Sequence, residues 1–106
     1  MAKLFIYLPT YNRPNSLSKQ LSALIPQVIN LQKDVRVLIS DNDSNKYEAG
    51  NLLQEFTHLD NVEIRQNGGN IGANANIALG FAFARPDEFL WILSDNDIIA
   101  PNAVSY

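Results

Sequence analysis

Two stretches of the sequence decide the fold: residues 37–43 read VLISDND, and residues 91–97 read WILSDND. Each is a short apolar run that stops at a Ser-Asp-Asn-Asp cluster of turn-forming residues. An unbroken apolar run of this length is typical of a strand that is covered on both faces, as in a parallel sheet. The sequence therefore predicts two buried strands with polar residues at their carboxyl ends.

The rest of the chain alternates strand patterns with helix patterns. Apolar residues recur at helical spacing after Pro14, which suits the first turn of a helix, and we expect a kink or break near Pro26. Pro101 stands where another helix would open. The predicted strands are residues 4–8, 35–39, 62–64 and 89–93, and the predicted helices after the first cover residues 47–56 and 71–84.

This alternation predicts an α/β fold, namely a doubly wound, mostly parallel, Rossmann-like sheet with helices on both faces. In such sheets ligands bind beyond the carboxyl ends of the strands, beside the point where the strand order reverses. The polar residues after the four predicted strands should therefore meet along one edge of the sheet. That edge is the predicted binding site.

Composition excludes several classes of function. A chain of 106 residues predicts one domain, and a net charge of −3 without a basic stripe makes nucleic acid an unexpected partner. Zero cysteines exclude disulfides and thiolate sites, and they fit the cytoplasmic location that we expect. The first apolar run is too short for a signal peptide, and no stretch is long enough to span a membrane.

The two Asp-Asn-Asp clusters would place carboxylates at the same sheet edge. Asp and Asn also form turns, and for residues 41–43 a turn explains the pattern equally well. For residues 95–97 we favour a metal site at Asp95 and Asp97, because this cluster follows a buried strand at the expected switch point. Carboxylate oxygens, in a chain that has no cysteine, favour Mg²⁺ or Mn²⁺ as the metal. The phosphates of a bound small molecule would complete the coordination.

Other features leave two interpretations open. Residues 67–72 read NGGNIG, which is either a turn before a helix or a glycine loop that lets a ligand approach the backbone. Tyr11 is either a surface aromatic or a residue that stacks on a base, and we favour stacking. Four aromatic residues inside predicted elements are predicted to lie in the core: Phe81, Phe83, Phe89 and Trp91.

Four motifs in this order and spacing resemble the N-terminal half of glycosyltransferase family 2. They are residues 8–13 (LPTYNR), residues 39–44 (ISDNDS), residues 70–72 (NIG) with Asn76, and residues 93–97 (LSDND). The resemblance covers nearly the whole chain. It implies a GT-A fold and transfer of a sugar from a nucleotide diphosphate donor, usually with inversion at the anomeric carbon. A UDP-sugar and Mn²⁺ or Mg²⁺ are the donor and cofactor that we expect.

The resemblance also assigns roles to individual residues. Asn42 stands where many members of the family carry a second aspartate, which leaves the identity of the base open. Asp43 occupies a place that is often held by a small residue. The implied roles are base and ribose binding for Pro9, Thr10 and Tyr11, base contact for Asp41 and Asn42, the nucleotide border for Asn70, Gly72 and Asn76, ribose or metal-water contact for Asp95, and metal binding for Asp97.

In the family, the acceptor-binding half and the general base lie downstream of Asp-x-Asp. We therefore expect residues 1–106 to be the donor-binding part of a GT-A domain, without a catalytic base, and inactive in transfer by itself. An exposed sheet edge in such a fragment could lead to self-association.

A nucleotidyltransferase and a receiver-like signalling domain are the two alternative functions. A nucleotidyltransferase would need a loop rich in glycine and basic residues after the first strand, and residues 8–14 contain no glycine. A receiver-like signalling domain with bound Mg²⁺ would need a lysine downstream of its acceptor aspartate, and no lysine follows Lys46. Both observations favour the glycosyltransferase.

Overall fold

The structure, a computed structural model, describes residues 3–31, 34–45 and 59–95. The helices predicted for residues 47–56 and after Pro101 lie outside the described residues. Among the described residues, neither helix has the length and apolar composition needed to cross a lipid bilayer. In chain order the elements are β1 (Lys3–Thr10), α1 (Pro14–Val28), β2 (Val35–Asp41), β3 (Val62–Gln66), α2 (Ala73–Phe83) and β4 (Glu88–Ile92).

The four described strands form one parallel sheet in the order β3-β2-β1-β4. The chain builds outward from β1 to β3 and then returns to the other side of β1 to add β4. The strand order therefore reverses between β1 and β4: the chain leaves β1 toward β2 on one side, and β4 is added on the other side. The predicted α/β class with a doubly wound parallel sheet is confirmed.

Helix α1 covers one face of the sheet and forms the larger part of the core. Pro14 lies in its first turn, and Pro26 lies in its last turn without breaking it. A proline near the carboxyl end is tolerated here because little helix follows it. The predicted apolar stripe is buried as expected: Leu17, Leu21, Leu24, Ile25 and Val28 pack on sheet residues that include Ile6, Leu8, Val37 and Ile39.

Helix α2 covers the opposite face, where the core is smaller. Phe5, Tyr7 and Leu38 are buried there against partly buried residues that include Leu79 and Phe83. Two of the aromatic residues predicted to be in the core are not: Phe81 is 67% exposed and Phe89 is 68% exposed. Phe81 lies on the flank of α2 that turns away from the sheet, and Phe89 lies on β4, the outer strand of the described sheet.

Among the described residues no strand pairs with the outer side of β4. The exposed Phe89 belongs to this edge. An unpaired strand edge can template pairing with another chain. Self-association through this edge stays a prediction.

An ion pair ties β2 to β4 across β1, at the end of the sheet away from the binding edge. Arg36 donates from Nε to Glu88 Oε2 at 2.9 Å and from an Nη atom to Glu88 Oε1 at 2.8 Å. A further bond runs from Arg36 to the carbonyl oxygen of Phe83 at 2.9 Å, and the guanidinium carbon lies 3.7 Å from the centroid of the Phe5 ring. The Glu88 side chain is only 2% exposed, so the pair is largely shielded from solvent.

The bond to Arg36 lowers the pKa of the Glu88 carboxyl below its usual value of 4.5, with help from the backbone N–H of Arg85. A carboxyl whose pKa is lower in the folded state stabilises the fold above its unfolded pKa, and this contribution is lost as the pH falls through the folded pKa. We therefore expect the free energy of unfolding to fall below about pH 4.5 more steeply in the wild type than in Glu88→Gln. Denaturant unfolding between pH 2.5 and 7 measures this difference.

Glu63→Gln serves as the control for this pH dependence. Glu63 is exposed on β3, and its replacement leaves the bonds between Arg36 and Glu88 in place. The control should keep the wild-type slope below pH 4.5. Parallel slopes for the wild type and Glu88→Gln would show that the ion pair does not supply this pH dependence.

Candidate functional site

A cavity of about 580 Å³ opens beyond the carboxyl ends of β1 and β4, at the point where the strand order reverses. Its size is within the range of sites that bind small molecules and cofactors. The lining residues are Pro9, Thr10, Tyr11, Arg13, Asn42, Asn70, Gly72, Ala73, Asn76, Ile77, Ile92, Ser94 and Asp95.

A buried hydrogen bond joins the ends of β1 and β4 at the cavity. Thr10 Oγ1 donates to Asp95 Oδ2 at 2.7 Å, and both residues are buried. A bond from α1 also fixes the residue before Asp95: Gln20 donates from Nε2 to the carbonyl oxygen of Ser94 at 2.8 Å. The carboxylate of Asp95 is therefore held in one position at the cavity.

Asparagine side chains connect the ends of β2 and β3 to the start of α2. Asn42 donates from Nδ2 to Asn70 Oδ1 at 2.9 Å, and Asn42 Oδ1 accepts from Asn67 Nδ2 at 2.9 Å and from the backbone N–H of Ile71 at 3.0 Å. The backbone of Asn42 is fixed as well, since its N–H donates to the carbonyl oxygen of Thr10 at 2.9 Å. These bonds place uncharged amides opposite the carboxylate of the β4 side.

Asn76 is the buried centre of a second set of bonds. Its Nδ2 donates to the carbonyl oxygen of Ser40 at 3.1 Å, and its Oδ1 accepts from Ser40 Oγ at 2.8 Å and from Asn67 Nδ2 at 3.1 Å. The hydroxyl of Tyr7 donates to the backbone carbonyl oxygen of Asn76 at 2.6 Å. Burial raises the pKa of the Tyr7 phenol, which keeps this donor protonated near neutral pH.

Gly72 is the residue before α2, and it has φ 89° and ψ 151°. This backbone conformation is almost restricted to glycine, because a Cβ atom would clash with the backbone. Gly68 and Gly69 do not have positive φ values and do not line the cavity. Of the two interpretations of residues 67–72, a turn fits Gly68 and Gly69, whereas Gly72 forms part of the cavity.

Asp41 is placed differently from its neighbour Asn42. It is fully buried, and its carboxylate accepts from Ser44 twice, at Oδ2 from the backbone N–H at 2.9 Å and at Oδ1 from Oγ at 2.5 Å. It is not among the residues that line the cavity. Asp43 has φ 63°, a left-handed conformation that aspartate tolerates better than most residues, so the turn accounts for its presence.

The structure brings most of the predicted site residues together. The cavity includes Pro9, Thr10, Tyr11, Asn42, Asn70, Gly72, Asn76 and Asp95. Asp97 lies outside the described residues, and among the residues that the structure does describe, no group of three His, Asp or Glu side chains could hold a metal. The roles of all these residues in binding stay predictions.

Five lining residues were given no role by the sequence analysis, although two of them, Arg13 and Ser94, lie in the polar clusters expected at this edge. Arg13 is the basic residue among those that line the cavity, and its place in the loop after β1 could have indicated it. Ile77 and Ile92 have only the signal of apolar residues in regular elements. Their place at the cavity depends on where α2 lies relative to β4. The five residues are Arg13, Ala73, Ile77, Ile92 and Ser94.

Comparison with known families decides the classification. The sequence model described as Glycosyl transferase family 2 matches residues 5–106. The chain belongs to this family. Membership in glycosyltransferase family 2 confirms the resemblance inferred from the motifs.

Relatives within the family share low sequence identity with this chain. Poly(ribitol-phosphate) beta-N-acetylglucosaminyltransferase TarP of Staphylococcus aureus (strain N315) is 22% identical over 105 residues, which are 98% of this chain and 31% of TarP. The crystal structure of S. aureus TarS 1-349 superposes with a TM-score of 0.80 at 19% identity, over 96% of this chain and 30% of that one. TarS has also been solved with UDP and with UDP-GlcNAc.

A third neighbour is the mannosyltransferase PcManGT from Pyrobaculum calidifontis, solved in complex with GDP-Man and Mn²⁺. It superposes with a TM-score of 0.75 at 17% identity, over 95% of this chain and 30% of the neighbour. The chain thus spans about a third of the length of these relatives. The structural neighbours are GT-A glycosyltransferases, and they confirm the GT-A type of fold for this glycosyltransferase family 2 chain.

Proposed function

We propose that this chain binds a nucleotide diphosphate sugar, with a UDP-sugar favoured, and serves as the donor-binding part of an inverting, metal-dependent glycosyltransferase. The observation that carries the proposal is the cavity at the switch point between β1 and β4. Eight residues that the family resemblance assigns to nucleotide binding line this cavity: Pro9, Thr10, Tyr11, Asn42, Asn70, Gly72, Asn76 and Asp95.

The two sides of the cavity suit different parts of such a ligand. Asn42 follows β2 and Asp95 follows β4, and β1 lies between these strands. Adjacent strands are about 4.8 Å apart, so the two ends are separated by roughly 10 Å. The uncharged amide of Asn42 suits the base, and Tyr11 at the rim can stack on it. The side with Asp95 suits the ribose and diphosphate.

The residues near Asp95 fit a divalent cation in part. Asp95 Oδ2 accepts from Thr10, and within the described part of the chain Oδ1 has no protein donor. An aspartate oxygen is a ligand that Mg²⁺ and Mn²⁺ prefer, and Asp97 is the second ligand of this proposal. The chain has no cysteine that would favour a softer metal. When bound, the cation would neutralise the diphosphate and support it as a leaving group.

The chain's own residues then bind and orient the donor. Thr10 holds the carboxylate of Asp95, and the backbone of Gly72 lets the ligand approach the start of α2 closely. Arg13, which also lines the cavity, adds a positive charge for the diphosphate. Inverting transfer also requires a general base within hydrogen-bond reach of the acceptor hydroxyl, and we assign no residue of this cavity to that role.

Calorimetric titration with UDP tests the proposal. If Asp95 and Asp97 hold the metal, their charges repel the diphosphate once the metal is removed, so we expect UDP to bind at least about tenfold more weakly in EDTA than with Mn²⁺ or Mg²⁺. Asp97→Asn should abolish this metal dependence, because it removes a metal ligand. Asp41→Asn should keep the dependence, because Asp41 does not line the cavity.

Asp87→Asn is the matched control for these carboxylates. Asp87 is exposed just before β4, at the opposite end of the sheet from the cavity, and its loss should change neither the affinity nor the metal dependence. Equal affinity for UDP with Mn²⁺ and with EDTA would contradict the metal bridge. A metal effect that is lost in Asp41→Asn and kept in Asp97→Asn would show that the two clusters have been assigned in reverse.

A further inference from the structure

Gln20 is a polar side chain on the buried side of helix α1. It lies between Leu17 and Leu24 on that side, and like them it is 0% exposed. A side-chain amide is costly to bury unless it finds hydrogen-bond partners, and an apolar residue of similar size would fill this place without that cost. The Nε2 atom of Gln20 donates to the carbonyl oxygen of Ser94 at 2.8 Å. The amide therefore joins the core to the residue that precedes Asp95.

Ser94 lies where the chain has left the sheet. β4 pairs with β1 as far as Ile92, whereas β1 itself continues to Thr10. The pairing of these two strands thus stops before Asp95, and the cavity opens beyond it. The backbone at this point needs a contact from outside the sheet to be fixed, and the amide of Gln20 supplies one.

The bond from Gln20 restrains the backbone of Asp95. The carbonyl group of Ser94 and the N–H of Asp95 belong to the same planar peptide unit, so holding the carbonyl fixes the plane from which the Asp95 side chain departs. A second restraint acts on the carboxylate, because Thr10 Oγ1 donates to Asp95 Oδ2 at 2.7 Å. Together the two bonds hold both the backbone and the carboxylate of Asp95.

We propose that Gln20 is a positioning residue for the cation of the donor site. Through the carbonyl of Ser94 it holds Asp95 where the carboxylate can bind the Mg²⁺ or Mn²⁺ of the diphosphate. This proposal rests on the proposed function. Gln20 does not line the cavity, so it acts through the backbone and not on the ligand. Replacing a residue that orients a metal ligand from behind typically weakens metal binding by about 10–100-fold.

The dissociation constant of UDP, measured by calorimetry once in EDTA and once with Mn²⁺, tests this role. The ratio of the constant in EDTA to the constant with Mn²⁺ reports the metal-dependent part of binding. Gln20→Met keeps the length of the side chain and removes the hydrogen-bond donor. We expect the constant with Mn²⁺ to rise about tenfold and the constant in EDTA to stay within about twofold, so that the ratio falls several-fold.

This ratio separates positioning from a purely structural role. In a variant that is partly unfolded, every ligand binds more weakly by the folded fraction, so both constants rise by the same factor and the ratio is unchanged. Val28→Ala is the matched control, because it truncates a fully buried residue of the same helix whose side chain cannot form a hydrogen bond. It should lower the melting temperature and keep the wild-type ratio.

Gln20→Glu is the second variant, and it replaces the NH₂ group by an oxygen. The neutral carboxylic acid can donate to the carbonyl of Ser94, whereas the ionised carboxylate cannot. Burial favours the neutral form. At about pH 5.5, Gln20→Glu should therefore keep a ratio close to that of the wild type at the same pH, and the ratio should fall as the acid ionises at higher pH. Gln20→Met should show a low ratio throughout.

Four outcomes would overturn the proposal. A wild-type ratio in Gln20→Met would show that Gln20 serves packing alone, and it would leave the proposed function intact. An equal fall of the ratio in Val28→Ala would show that any loss of core packing disturbs the site. A low ratio in Gln20→Glu at about pH 5.5 would exclude the bond to Ser94 as the cause, and this variant decides the matter if melting curves show that Gln20→Met is unfolded. Equal affinity of the wild type for UDP with Mn²⁺ and with EDTA would overturn the proposed metal dependence, and this role of Gln20 with it.

Discussion

Arg36→Ala is expected to lower the free energy of unfolding by about 3 kcal/mol, because it leaves a buried carboxylate without its partner. The Arg36 side chain is 18% exposed and makes two bonds to Glu88. Its removal also ends the bond to the carbonyl oxygen of Phe83 and the stacking on Phe5. Chemical denaturation at pH 7 measures the loss.

Arg65→Ala is the control for Arg36→Ala. Arg65 is exposed on β3, and its guanidinium carbon lies 5.1 Å from the centroid of the Phe83 ring. Its loss should cost less than about 1 kcal/mol. The double variant Arg36→Met with Glu88→Leu should recover most of the loss, since an apolar pair of similar volume needs no ionic partner. A loss below about 1 kcal/mol in Arg36→Ala would show that the pair is as weak as an exposed salt bridge.

Gly80→Ala is expected to destabilise the protein by about 2–3 kcal/mol, although alanine is the better helix former by about 1 kcal/mol. A Cβ atom at position 80 would lie 2.7 Å from Cδ2 and 2.9 Å from Cγ of Tyr7. These atoms are near the root of the ring and cannot move away easily. Tyr7 is fully buried, and its hydroxyl is held by the backbone of Asn76 at 2.6 Å. A melting temperature about ten degrees lower is the expected result.

Two further variants isolate the contact between α2 and the ring. Gly69→Ala changes a glycine that has no heavy atom within 4 Å of the added Cβ and no positive φ, so its effect should stay within about 0.5 kcal/mol. In the Tyr7→Leu background, Gly80→Ala should cost clearly less than in the wild type, because the clash partner is gone. A stabilising effect of Gly80→Ala would mean that helix propensity outweighs the contact.

The order and type of the described elements were predictable because the signals are local. The apolar runs of β1 and β2 and the helical spacing after Pro14 depend on residues within one or two turns of each other. β1, β2 and β3 extend further at their carboxyl ends than their apolar runs indicated, whereas β4 ends at Ile92, one residue before the predicted end. β1 reaches Thr10 and β2 reaches Asp41, because their backbones pair with each other up to that point.

Burial was less predictable, because it depends on neighbours that are distant in the sequence. Phe81 and Phe83 belong to the same apolar helix, yet Phe83 packs on the sheet and Phe81 is mostly exposed. The composition of α2 is apolar on nearly every side, so its sequence has no stripe that marks the buried face. Which side chains of α2 are buried depends on where the helix lies on the sheet. That placement follows from the strand order.

For the candidate site, the sequence by itself determined which polar residues follow which strands and, through parallel pairing, that they meet at one edge. It did not determine what each side chain does there. Asp41 and Asn42 are adjacent in the chain, but Asp41 turns to Ser44 while Asn42 lines the cavity. Only the tertiary structure decided this difference. The reason is that hydrogen bonds between residues 25 and 28 apart in the chain, those of Asn42 with Asn67 and Asn70, have no local signal.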